Sequence, residues 1–183
     1  VEQKFFALAR NNTGYEELNH YLSEHLHEKK PFPARAPEFK NAYVVYPFST
    51  APEKLLEHEF IGLRSQEIRQ LWRSPWQEKL DKLVIQQPIT FRNQRDFNTH
   101  RLLRAIDLNT LLSELPKSEE GNKEDKLVPP EELMDAFAEL PEILYNTQAI
   151  IDDCSIFFEF GKQYTTEGAF PCRRKQGGSL PTV

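Results

Sequence analysis

At 183 residues, with 39% apolar and 28% charged residues, the chain is long enough to fold as one domain without disulfide or metal staples. Its 13 Phe, 6 Tyr and 2 Trp exclude disorder of the whole chain. No apolar run nears the roughly 20 residues of a bilayer span, and two cysteines exclude a disulfide scaffold. A net charge of −5 argues against a dedicated nucleic-acid binder. Cys154 and Cys172 read as free thiols, which places the chain inside the cell, in the cytoplasm.

The opening VEQKFFALARNN lacks the sustained apolar core of a signal peptide. Thr13 and Glu16 form a capping box, and Tyr15, Leu18, Leu22 and Leu26 recur at helical spacing up to Lys29-Lys30. PFPARAP then forbids helix. AYVVY at 42–46, β-branched and aromatic, predicts a short strand. Thr50 with Pro52 and Glu53 predicts a second helix running to Arg73, broken near Gly62. Ser74-Pro75-Trp76-Gln77 marks a joint to another helix, where Ser caps and Pro takes the first helical position.

LVIQQPITF at 83–91 predicts an extended segment that Pro88 confines to an edge or a bend. A helix from about Asp96 follows, and its apolar phase slips at Asp107, where a second short helix begins. Lys117 to Lys126 is a charged loop, and the segment 117–128 is expected to be mobile. Pro129-Pro130-Glu131-Glu132 opens another helix with favourable early acids. From Pro141, Ile143, Leu144, Ile150, Ile151, Cys154, Phe157 and Phe158 share one stripe, which predicts a helix at the centre of the core. Residues 1–161 are thus expected to form one mainly α domain of six or seven helices. A two-stranded β element (42–46 with 84–91) flanks it, and 162–183 form a flexible basic tail.

The candidate chemistry is sparse. His20, His25 and His27 cluster within HYLSEHLHEKK, and His20, Glu24 and His27 share one helical face opposite the leucines. His20 and His27 stand about 10.5 Å apart along a helix axis, too far to close on one zinc. They are therefore only weak metal candidates, and no metal or cofactor is expected. No glycine loop for phosphate and no nucleophile elbow occurs. Cys154 lies on an apolar stripe, where thiols are inert, whereas Cys172 in FPCRRK has cations that lower a thiol pKa.

Charge is segregated: nine basic against four acidic residues from Ile61 to Arg104, then ten acidic against three basic from Glu114 to Glu142. Mutual neutralisation is one reading and a basic face for a partner the other. Arg64 sits in an apolar sector and needs a counter-ion, for which Glu57 and Glu67 are in range. With Arg101 and Arg104 it makes a candidate anion site. Arg69, Trp72, Arg73 and Trp76 make a candidate partner surface.

These features point to a non-enzymatic interaction domain, or a subunit of a larger complex, that uses charge-segregated helical surfaces. Its expected partner is another protein of acidic character rather than nucleic acid, and no oligomeric state is assigned. The alternative is a small anion-binding enzyme or sensor for a phosphorylated or carboxylated ligand. A metal-binding protein ranks below both.

Overall fold

A computed structural model describes residues 4–158. It corrects the mainly α expectation: among the described residues, five α-helices stand beside a four-stranded mixed sheet. Strands β1 (Phe6–Ala9), β2 (Ala42–Pro47), β3 (Glu59–Leu63) and β4 (Leu83–Ile85) lie side by side in chain order. β1 runs antiparallel to β2, whereas β2, β3 and β4 run parallel. The expected pairing of 42–46 with 84–91 does not occur, because β3 lies between them, with Val44 opposite Glu59 and Ile61 opposite Leu83.

The missed strand is EFIGL. An apolar run this short cannot be told from a buried helical segment by periodicity, and the capping signal at Thr50 opens no helix, since Thr50 closes a three-residue 3-10 turn, Phe48–Thr50. Gly62 is no helix break but a point of close approach. A Cβ there would stand 2.2 Å from Gln86 Oε1 and 2.7 Å from Gln86 Cβ.

Helix α1 (Asn12–Glu28) is capped by Asn11 rather than Thr13; the Asn11 side chain accepts from Gly14 N at 2.9 Å. It docks on β1 and β2 through Gly14, Leu18 and Tyr21. Gly14 allows this approach, since a Cβ would stand 1.9 Å from the Asn41 carbonyl oxygen. Leu22 and Leu26, read as the buried face, instead face solvent, and Leu26 is 68% exposed. The rotation is set by Glu17, which accepts from Lys40 N at 3.1 Å and Asn41 N at 3.2 Å.

Beyond β3, α2 (Ile68–Leu71) is a single turn, so the long helix expected up to Arg73 is a strand and a short helix. The remaining helices are α3 (Gln94–Asp107), α4 (Pro130–Ala136) and α5 (Pro141–Asp153). α5 stops short of the expected length, which leaves Phe157 and Phe158 beyond it and exposed. It does bury Ile143 and Ile150, and it closes the β4 edge. Asn146 Nδ2 donates to the Leu80 and Leu83 carbonyls at 2.9 and 3.0 Å, and Thr147 Oγ1 accepts from Ile85 N at 2.8 Å. Those bonds satisfy edge groups that would otherwise invite a further strand.

Alternation along the strands divides the core. Ile61, Leu63 and Leu83 pack with Leu71, Trp76, Phe137, Leu140 and Ile143; Val44 and Tyr46 pack with Phe39 beneath α1. On the opposite face Val45, Val84 and Ile150 form a smaller cluster. A polar knot joins β2, β3 and the proline-rich segment. The fully buried Glu59 accepts from Tyr46 Oη at 2.9 Å, Leu56 N at 2.7 Å and Arg35 Nη2 at 2.7 Å. Tyr46 Oη in turn accepts from Ala36 N at 3.1 Å.

Burial, reinforced by the Glu59 contact, pushes the Tyr46 phenol up to about 12. An unfolded tyrosine ionises near pH 10, at about its unperturbed value. The Tyr46 contribution to stability is therefore complete below that pH and lost as pH rises to about 12. Tyr46→Phe should show a shallower fall of melting temperature than wild type across that window. Parallel melting curves would count against the knot.

No helix among the described residues is long and apolar enough to cross a membrane. The tail expected at 162–183, with Cys172, lies outside the described residues.

Candidate functional site

The Arg69–Trp76 segment folds as a sharp joint. After α2, Arg73 N and Ser74 N donate to Gln70 O and Leu71 O, both at 3.0 Å, which tightens the last turn. Ser74 Oγ then accepts from Trp76 N at 3.2 Å and opens a 3-10 helix, Pro75–Glu78, with Pro at its start as the sequence signals. The two tryptophans part company. Trp76 is buried in the core with Leu71, whereas Trp72 is 52% exposed.

At about 100° per residue, Arg69, Trp72 and Arg73 fall within an arc of about 100° on the side opposite Leu71. All three are exposed. Among the described residues neither arginine has a carboxylate within ion-pair distance. The acid nearest Arg69 in sequence, Glu67, is engaged by the backbone N–H of Arg64 at 2.9 Å. Lys79, close by in sequence, lies 5.4 Å from the Trp76 ring centroid.

The other candidate arginines are engaged. Arg64 pairs with Asp125 at 3.0 Å rather than with Glu57 or Glu67. Arg101 pairs with Glu120 at 2.7 Å, and Arg104 with Asp107 at 3.0 Å and with Glu119. The Glu119 carboxylate raises the Arg104 pKa further. The basic stretch thus lies against the acidic one, and the two neutralise each other at these positions.

The acidic segment is tied down by its backbone. Asp125 O accepts from Thr90 N and Phe91 N at 2.7 and 3.0 Å, and Leu127 N donates to Phe91 O at 2.8 Å. Gly121 packs beneath the Phe91 ring, where a Cβ would stand 2.6 Å from it.

His20, Glu24 and His27 lie exposed on α1. Glu24 is 3.8 Å from Lys30, and among the described residues no group of three or more His, Cys, Asp or Glu side chains is arranged to hold a metal ion. His25 Nδ1 meets Tyr21 O at 2.9 Å, and its ring stacks on Phe32. The Cys154 thiol is pushed up by burial, with the Asp153 charge adding to the effect, so it is a poor nucleophile. Asp153 is held below the usual carboxylate range by hydrogen bonds from Arg10 (2.6 Å) and Tyr43 (2.8 Å). Asp152 takes a separate bond from Gln148 at 2.8 Å.

Two features escaped sequence reasoning. The first is on α3, which turns Phe97 and Ala105 inward, with Arg101 and Arg104 flanking them toward the acidic segment. Leu102, Leu103 and Ile106 occupy the opposite face, exposed by 50%, 60% and 66%. Exposed Leu108, Leu111 and Leu112 continue the apolar surface along the chain. The sequence signal is the phase slip at Asp107, which marks both the end of α3 and the outward facing of these residues. The second is a groove of about 270 Å³ on the open side of the sheet, lined by Phe6, Leu8, Val45, Val84 and Ile150. Gln86 also lines it, and its buried Nε2 has no hydrogen-bond partner among the described residues. No sequence signal could have placed it, since the groove is assembled from three strands and a helix.

No family model matches the chain. It is similar to the DNA polymerase III subunit alpha of Neisseria meningitidis serogroup B, 29% identical over 82 residues. It is also 28% identical over 82 residues to the subunit of the same name in Buchnera aphidicola. Each match covers 45% of this chain and 7% of the relative, so the chain spans a small fraction of the proteins it resembles. The likeness overturns the expectation against nucleic acid, which rested on net charge and on the lack of a single-strand-binding motif, because the relatives are by name parts of a DNA polymerase. Part of this chain is thus similar to a subunit of a larger complex.

Proposed function

We propose that this chain is a non-enzymatic docking module of an assembly of the DNA polymerase class, and that the outer face of α3 is its principal docking surface. The observation that carries the reading is the run of Leu102, Leu103 and Ile106 on the solvent side of a helix whose inner side is already packed. Isolated exposed leucines are ordinary, but a contiguous apolar helix face marks an interaction surface. A helix presenting residues at i, i+1 and i+4 suits a second helix or an apolar groove. The similarity to a polymerase subunit supports the class of assembly. The open groove beside Gln86 supports the same reading, since parallel strands are ordinarily covered on both faces.

Site-specific photo-crosslinking tests it. A benzoyl-phenylalanine at position 103 or 106, in the chain expressed in its source cell, should crosslink to a polypeptide of the polymerase assembly. The same probe at His20, on exposed α1, should not. Equal crosslinking from position 20, or none from 103 and 106, would dismiss the docking face.

A further inference from the structure

We infer that Arg69, Trp72 and Arg73 form a contact site for single-stranded DNA, in which an unstacked base lies on the Trp72 ring and the two guanidinium groups hold the flanking phosphates. The choice of DNA over RNA rests on the proposed polymerase context; the site itself rests on geometry. Three observations converge. Trp72 is a large aromatic ring left half exposed at the end of α2, although its neighbour Trp76 is taken into the core. Arg69 and Arg73 flank it on the same side and have no acidic partner among the described residues, whereas Arg64, Arg101 and Arg104 each have one. The platform is also rigid, because Leu71 and Trp76 anchor it on either side and Ser74 caps the joint between them.

Single strands are bound by aromatic stacking combined with cations along the backbone, and a duplex would hide the faces that stack. An acidic protein would satisfy the arginines as well, and the poly-glutamate competitor below separates it from a single strand. Lys79 extends the cationic side past Trp76, and Glu78 is the acid beside it.

The experiment is fluorescence anisotropy of a labelled oligo-deoxythymidine of about 20 nucleotides with the whole chain in about 50 mM salt. Duplex DNA, oligo-uridine and poly-glutamate serve as competitors. Oligo-deoxythymidine should bind and should be displaced least by duplex and by poly-glutamate. Log affinity should fall against log salt with a slope of about −2, as expected for three cations on a single strand. Trp72→Ala should weaken binding about five- to 100-fold, and Trp72→Phe should restore part of the loss. Arg69→Ala should reduce the slope by about 0.7.

Because these side chains are exposed, circular-dichroism melting should stay at the wild-type value. The inference is overturned by an absence of binding at tens of micromolar protein, or by affinity that ignores Trp72→Ala. Tighter Trp72-dependent binding of oligo-uridine or of poly-glutamate also overturns it, in favour of RNA or an acidic protein. None of these outcomes bears on crosslinking from positions 103 and 106, so the two readings stand or fall separately.

Discussion

Glu59→Ala should lower the melting temperature by roughly 10 °C, the expected equivalent of about 3–5 kcal/mol in a chain of this size. Glu59 is a fully buried carboxylate at the first residue of β3, and its acceptors serve three donors from three places in the chain. Arg35 is half exposed and can return to water when the carboxylate is lost. Tyr46 Oη cannot, and a buried group left unsatisfied costs about 1–3 kcal/mol. Glu59→Gln keeps the shape and one acceptor oxygen but loses the charge facing Arg35, so its cost should be about half as large. Thermal melts near neutral pH, followed by circular dichroism, compare the three proteins. An alanine variant that melts within a degree or two of wild type would show that the knot contributes nothing.

Phe137→Ala should be comparably damaging, at about 3–5 kcal/mol, because it removes a whole ring from a closed core and leaves a cavity. Phe137 follows α4 and is fully buried among Ile61, Leu63, Leu71 and Leu140. Its N–H donates to Leu133 O at 3.2 Å and its carbonyl accepts from Leu140 N at 2.8 Å, which fixes the turn that drops both side chains under the sheet. Phe137→Leu preserves most of the volume and should cost under about 1.5 kcal/mol. In urea, with a slope of about 2 kcal/mol per molar, the alanine midpoint should fall by roughly 2 M. A shift below a few tenths of a molar would mean that the acid-rich segment around α4 is not part of the folding unit. The result also bears on function, since the same core holds Leu71 and Trp76 and so aims Trp72 outward.

Local signals in the sequence located much of the chain. The end of α1 at Lys29, the strand at Ala42, the Ser74-Pro75 joint, the start of α4 at Pro130 and that of α5 at Pro141 were all readable. Each depends on groups within a few residues, namely caps, prolines and apolar spacing. EFIGL was not readable, because a short apolar run takes its identity from what it pairs with, and its partners Val44 and Leu83 are 15 and more than 20 residues away. The facing of α1 failed for a similar reason. Four apolar residues at helical spacing named a buried stripe, but the glycine contact with Asn41 and the Glu17 bonds to the 40–41 backbone rotated the helix away from it.

The candidate chemistry divides along the same line. Sequence alone placed Arg69 and Arg73 on one helical face, since residues four apart on a helical turn are neighbours whatever the rest of the chain does. It also showed the alternation of basic and acidic stretches. Only the tertiary structure decided which arginines remain available. Arg64, Arg101 and Arg104 meet Asp125, Glu120 and Glu119 across separations of 15 to 61 residues, and a counter-ion that distant is chosen by the fold rather than by spacing. Tertiary packing likewise took Trp76 into the core while leaving Trp72 in water, and turned Leu102, Leu103 and Ile106 outward because Phe97 and Ala105 had the better fit inward. A side chain's burial is a property of the whole packed assembly, and for that reason the sequence of this chain offered candidate residues without ranking them.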